Sequence, residues 1–176
     1  MSSESRMMVR GVRGAISVTK DDSDEILEAT RKLLMTIVQE NDIDTEDIAS
    51  VWFTTTPDLV SCFPAVAARQ IGWTDVPLMC SHEMSVTRAL PLAVRVLIHW
   101  NTVKSQKEIN HIYLGETVKL RPDKIAIPPI QDKDMTTYLL DKGLIQVMPV
   151  EKVSPEHIFN GSSLTITRQK DDEWDD

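Results

Sequence analysis

Alternation marks the first element of the chain. From Met8 to Val18 the even positions read Met, Arg, Val, Gly, Ile, Val, and the odd ones Val, Gly, Arg, Ala, Ser. The period of two predicts a strand with one more apolar face and with Arg13 on the other. The period then lengthens. Ile26, Ala29, Leu33 and Ile37, with neighbours Leu34 and Val38, form a helical stripe over Asp22 to Glu40, led by acidic residues that suit a helix N-terminus. Ile48 to Thr56, "IASVWFTTT", is β-branched and aromatic and predicts a strand that Pro57-Asp58 ends. Pro64 opens a short helical stretch, "PAVAARQI", which carries Arg69.

"VPLMC" predicts a short apolar strand ending at Cys80. The run Leu92 to Ile98 is apolar except for Arg95; it predicts a buried helix, with Ser85 or Thr87 as cap and Pro91 in the first turn. From Ile109 to Pro122 a last strand is expected. Ile112, Leu114, Val118 and Leu120 line one face, and His111, Tyr113, Thr117, Lys119 and Arg121 the other, so that Tyr113 and Arg121 share a side. The order is β-α-β-α-β-α-β over residues 8–122, an α/β domain without internal repeats. After it come a linker-like proline pair in "KIAIPPIQDKD", a segment from Met135 to Val150 suited to one short helix and strand, and an acidic end, "RQKDDEWDD", expected to be disordered.

Composition narrows the function classes. The chain has 176 residues, 41% of them hydrophobic, enough for one well-filled core plus an appendage. No apolar run reaches the ~20 residues of a membrane span, and the first residues lack the apolar stretch of a signal peptide, so a soluble cytoplasmic protein is expected. Two cysteines, Cys62 and Cys80, build no disulfide framework. The net charge of −8 is uneven: residues 125–176 hold five Lys/Arg against ten Asp/Glu, leaving fourteen against seventeen in residues 1–124. Neither part has the basic surface of a nucleic-acid binder, so an anionic ligand would have to be captured by local arginines.

Arg95 raises the sharpest question, because a guanidinium in an apolar run needs an anion. Glu83 or Asp58 can supply one as a structural ion pair, and so can a ligand from outside. Arg13, Arg69 and Arg121 add cations, with Glu83, Cys80 and Tyr113 as polar company; by default, though, strand arginines are solvated, a strand tyrosine packs, and a lone cysteine is a small buried hydrophobe. Cys80-Ser81-His82-Glu83 puts a thiol, an imidazole and a carboxylate within four residues. Thiol enzymes gather such groups through the fold rather than along the chain, and no second pair stands at zinc spacing. Gly11 and Gly14 lie within a strand, so they make no dinucleotide loop. No cofactor and no metal is expected.

Five motifs in register carry a resemblance: "RGVRGAISV", "TTTPDLVSCFPAVAAR", "VPLMCSHEMSV", "AVRVLI" and "HIYLGETVKLRPD". Over about residues 6–124 the chain resembles the AroH-class chorismate mutases. The resemblance implies a mixed β-sheet with helices on one side, assembled as a homotrimeric pseudo-barrel with active sites between subunits. It also implies rearrangement of chorismate to prephenate in phenylalanine and tyrosine biosynthesis, with neither cofactor nor metal. By position, Arg95 matches the arginine that meets the ether oxygen of the breaking bond, and Arg13 and Tyr113 match residues that bind a substrate carboxylate. Glu83 and Cys80 match the pair around the substrate hydroxyl. Phe63 and Arg69 match contributions from the neighbouring subunit, and Leu120 and Arg121 the mobile edge of the pocket. Two departures stand out. Val66 replaces a lysine that family members can carry near the mouth, and residues 125–176 extend beyond the family's end. The division expected is a catalytic domain over residues 1–124 and an extension over 125–176. The alternative reading is a non-catalytic trimeric relative that binds a small dicarboxylate.

Overall fold

The computed structural model describes residues 6–123, 127–143, 146–147 and 164–165. They fall into two compact units, Met1–Ile130 and Gln131–Asp176. The first contains strands β1 (Met8–Ser17), β2 (Ile48–Thr55), β3 (Leu78–His82), β4 (Ala93–Thr102) and β5 (Ile112–Leu114), and helices α1 (Ser23–Asn41) and α2 (Ala65–Gln70). The sheet order is β3-β2-β4-β1-β5; β4 runs antiparallel to both neighbours, while the outer pairs β2/β3 and β1/β5 are parallel. This is the mixed α+β architecture expected.

α1 begins where Asp22 accepts a hydrogen bond from the Glu25 N–H at 3.1 Å and ends at Asp42 in the left-handed conformation (φ 57°). Its buried side, Ile26, Leu33, Leu34 and Ile37, lies on the even-numbered face of β1 and β4, where Val12, Val94, Val96 and Ile98 are also buried. Contact there is close. A Cβ on Gly14 would stand 2.6 Å from Ile37 Cδ1 and 3.1 Å from Leu33 Cδ1, so glycine at this position lets the helix seat. Val51 and Phe53 of β2 complete this core. The odd-numbered face is different: Val9, Trp52 and Met79 stay exposed there, and Arg95 and Leu97 are part-covered.

Two expected elements are corrected. Arg95 lies on a strand, β4, and not on a helix. Burial alternates from Val94 to Thr102, and the central place between β1 and β2 gives the strand a hydrogen-bonding partner on each side. No helix leads into it: Leu92 adopts φ 52°, its N–H donates to Asp58 at 2.8 Å, and Ser85 and Thr87 lie in an exposed loop instead of capping a helix. The element order over this unit is thus β-α-β-α-β-β-β. The last strand is also shorter than expected. It stops at Leu114, because Gly115 turns with φ 60° and Gly115–Leu120 form a 3₁₀ segment that Thr117 ties down by donating to the Ala15 and Leu114 carbonyls.

In the second unit, α3 (Asp132–Asp141) and the two-residue strand β6 (Gln146–Val147) match the expected short helix and strand, while β7 (Leu164–Thr165), paired antiparallel with β6, lies beyond the segment expected to be structured. The acidic end lies outside the described residues. No described helix is long and apolar enough to cross a membrane.

Candidate active site

Strand register assembles one transverse row on the open face of the sheet. Ser81 of β3 pairs with Thr54 of β2, Thr54 with Arg95 of β4, Arg95 with Ala15 of β1, and Ala15 with Tyr113 of β5. Residues opposite one another across strands point to the same side, and Arg13, two positions before Ala15, joins them. Three neighbouring strands, β4, β1 and β5, therefore bring Arg13, Arg95 and Tyr113 together although they are up to a hundred positions apart in sequence.

Glu83, immediately after β3, faces this row. Its N–H donates to the Thr55 carbonyl at 2.9 Å, which fixes the chain there. One carboxylate oxygen, Oε2, forms an ion pair with Arg95 Nη1; the other, Oε1, accepts from Thr54 Oγ1 at 2.5 Å. The Arg95 and Glu83 side chains retain 26% and 15% of their exposure, so the pair is sheltered yet reachable by a ligand. Of the two internal partners considered for Arg95, the structure selects Glu83; Asp58 instead holds the Leu92 N–H.

Burial pushes the Arg95 pKa down, the nearby Arg13 cation adds to that, and Tyr113 opposes it. The adjoining Glu83 carboxylate also favours the charged form, and an arginine starts high enough to stay protonated at neutral pH. Two cations against one carboxylate leave a local positive excess in an acidic protein. Among the described residues the buried Tyr113 hydroxyl makes no hydrogen bond of good geometry, although the Arg121 guanidinium comes close enough to interact with it. The bidentate pairing of Arg121 with Asp123, at 2.8 and 2.7 Å, raises its pKa foremost; slight burial works against this, and Tyr113 adds a smaller upward push. The two residues thus come together across the 3₁₀ turn, not along one strand as expected.

The other expected residues lie elsewhere. Cys80 pairs with Phe53 and shares its face, away from Arg95; burial raises its thiol pKa, partly offset by the Ala65 N–H and by Arg69. Its backbone is better placed. Pro77 and Glu83 spend their backbone groups on β2, so in a parallel pair the even-numbered residues Cys80 and His82 turn theirs to the free edge of the sheet. The same alternation dismantles the Cys80-Ser81-His82-Glu83 cluster, and His82 Nδ1 is 3.1 Å from Thr55 Oγ1. Phe63 is exposed just before α2, Leu120 is exposed at the end of the 3₁₀ turn, and Arg69 on α2 is exposed. Neither Phe63 nor Arg69 shares in the hydrogen bonds of the Arg95–Glu83 pair.

Sequence reasoning missed Thr54. It stands in a β-branched run where every residue looks like strand filler, and only the register across β2 and β4 reveals it opposite Arg95.

A sheet that buries one face under helices and lines the other with paired cations around one carboxylate defines a small α+β enzyme domain suited to a polyanionic substrate. The chorismate mutase type I family model matches residues 9–124, and the chain belongs to this family of isomerases. A chorismate mutase AroH from Thermus thermophilus is 50% identical over 117 residues, covering 66% of this chain and 96% of the relative. One from Bacillus subtilis is 44% identical over 118 residues, covering 66% and 93%. A solved chorismate mutase from Clostridium thermocellum superposes with a TM-score of 0.61 at 42% identity, covering 61% of this chain and 96% of that one.

Proposed function

We propose that this chorismate mutase converts chorismate to prephenate on the open sheet face, with Arg95, Glu83 and Arg13 as its principal charged groups. The reaction is a [3,3] rearrangement in which the ether C–O bond breaks as a C–C bond forms, so no nucleophile or general base is consumed. What the protein must do is hold the extended substrate in its reactive diaxial shape and stabilise the charge that separates as the C–O bond lengthens. Arg95 donates to the ether oxygen and to a carboxylate. Arg13 and the Tyr113 hydroxyl bind a substrate carboxylate. Glu83 balances the cation and, with the Cys80 backbone at the free sheet edge, meets the substrate hydroxyl. Leu120 and Arg121 form the edge that tightens over the ligand.

The single observation behind this reading is the Arg95–Glu83 pair on a reachable face, beside Arg13 and the Tyr113 hydroxyl. The test follows chorismate absorbance with purified protein in buffer containing a chelator, for wild type and Arg95→Ala. Rapid conversion by wild type alone is expected; equal turnover by Arg95→Ala would sink the assignment of that residue, and inactivity of both would favour the dicarboxylate-binding alternative.

The assembly is a homotrimer with sites between subunits. Val9, Trp52 and Met79, 57%, 45% and 57% exposed on the same open face, support this, since a soluble chain seldom leaves such an apolar strip to water. Phe63 and Arg69, exposed and apart from Arg95, are then the neighbour's contribution, and Val66 leaves the pocket mouth without one cation. Mass in solution tests it, a stable monomer being the contrary result. Residues 1–124 make up the catalytic domain and 125–176 an extension whose first residues, to Ile130, still belong to the first compact unit, and the protein acts in the cytoplasm. Removing residues 125–176 is expected to leave turnover intact.

A further inference from the structure

Glu83 is held by both of its oxygens, and the two partners are unlike. Arginine presents five N–H donors in a planar fork, and a carboxylate left free to choose pairs with it fork to fork, consuming two of them. Here the carboxylate does not do so: Oε2 alone meets Arg95 Nη1, while Oε1 is claimed by Thr54 Oγ1 at 2.5 Å. Thr54 is well built for that task. Its backbone is pinned between β4 and β3, opposite both Arg95 and Ser81, and a β-branched side chain on a strand has restricted χ1 freedom.

We propose that Thr54 is a positioning residue for the rearrangement, tethering one oxygen of Glu83 so that Arg95 keeps N–H donors unspent for the substrate. The inference rests on the role of Glu83 proposed above. Thr54 itself touches no reacting atom. It decides how much of the guanidinium the internal carboxylate takes, and therefore how much remains for the ether oxygen as the C–O bond lengthens.

The experiment compares Thr54→Val, which keeps the shape and removes the donor, with Thr54→Ala, Thr54→Ser and Glu83→Gln in the full-length protein. Thr54→Val and Thr54→Ala are expected to lose roughly 10-fold or more in kcat, with a smaller change in KM, at an unaltered melting midpoint. Thr54→Ser restores the rate and the ratio of kcat to KM effects. Loss of activity with KM changed as much as kcat and no rescue by serine would reduce Thr54 to a structural role. A crippled Glu83→Gln beside a wild-type Thr54→Val would overturn the tether alone. Wild-type turnover in Glu83→Gln would overturn the reading of Glu83 on which the tether depends.

Discussion

The two faces of the central sheet are made from the same strands, yet obey different rules. On the even-numbered face of β1 and β4, Val12, Val94 and Ile98 are fully buried, as is Phe53 on the same side of β2, and a single added methyl at Gly14 would collide with Ile37 of α1. On the odd-numbered face Arg13, Arg95 and Tyr113 stand in a row with donors to spare, beside apolar side chains that remain uncovered. Pleating gives each strand both duties at once, so β4 carries Val94 and Val96 into the core and Arg95 between them into the site. The packed face supplies rigidity, and the open face turns it into precisely spaced charge.

The sharpest way to break this division is on the open face. Arg95→Lys keeps the charge and loses the planar fork, and turnover is expected to fall by about 10²-fold or more with the melting midpoint unchanged. The converse lies across the sheet. Phe53→Ala removes a fully buried ring and is expected to cost about 3–5 kcal/mol in denaturant unfolding, while the molecules that stay folded keep their turnover. A third variant addresses the uncovered strip: if the proposed trimer buries it, Trp52→Glu should lower the mass in solution and reduce activity only as assembly is lost. The smallest effect sharpens the comparison at the hinge between faces, where Asp58 holds the Leu92 N–H. Burial alone would raise the Asp58 pKa, but hydrogen bonds from the Thr56 side chain and from backbone N–H groups outweigh it and hold it below its ordinary value of 3.8. A depressed carboxylate stabilises the fold above its unfolded pKa and loses that contribution as pH falls through the lower folded value. Asp58→Asn should therefore lower stability modestly in the neutral range, with the difference from wild type shrinking as pH falls below about 4.

Much of the packed face is legible in the sequence. The alternation of β1, the stripe of α1 and the β-branched run of β2 appear at nearly the boundaries observed, because each obeys one period and is punctuated by Asp22 or Pro57. The run around Arg95 misleads for a physical reason. A central strand covered on one side by helices and part-covered on the other shows almost continuous apolarity, and a helix period fits that as well as a strand period does. β5 misleads differently: its pattern continues past Leu114, but Gly115 leaves the strand conformation, and no periodicity contains that turn. In the site, Arg95 and Glu83 stand out as charges among apolar residues, and the five motifs assign them roles. Thr54 does not stand out, since its place opposite Arg95 is set by a pairing between strands that no local pattern encodes.

The order of the strands has a consequence for how the molecule comes into being. β1 and β2, the first strands to be synthesised, do not touch; β4 must enter between them, pairing Met8 with Thr102, before either has a neighbour on that side. The β5 segment, which docks Leu114 against Ile16, leaves the ribosome later still. Long-range pairing of this kind folds slowly, because loops must close before contacts reward them. A nascent chain halted before Ala93 would hold both arms of the sheet without the strand that joins them, and the cation row would arrive in one late step.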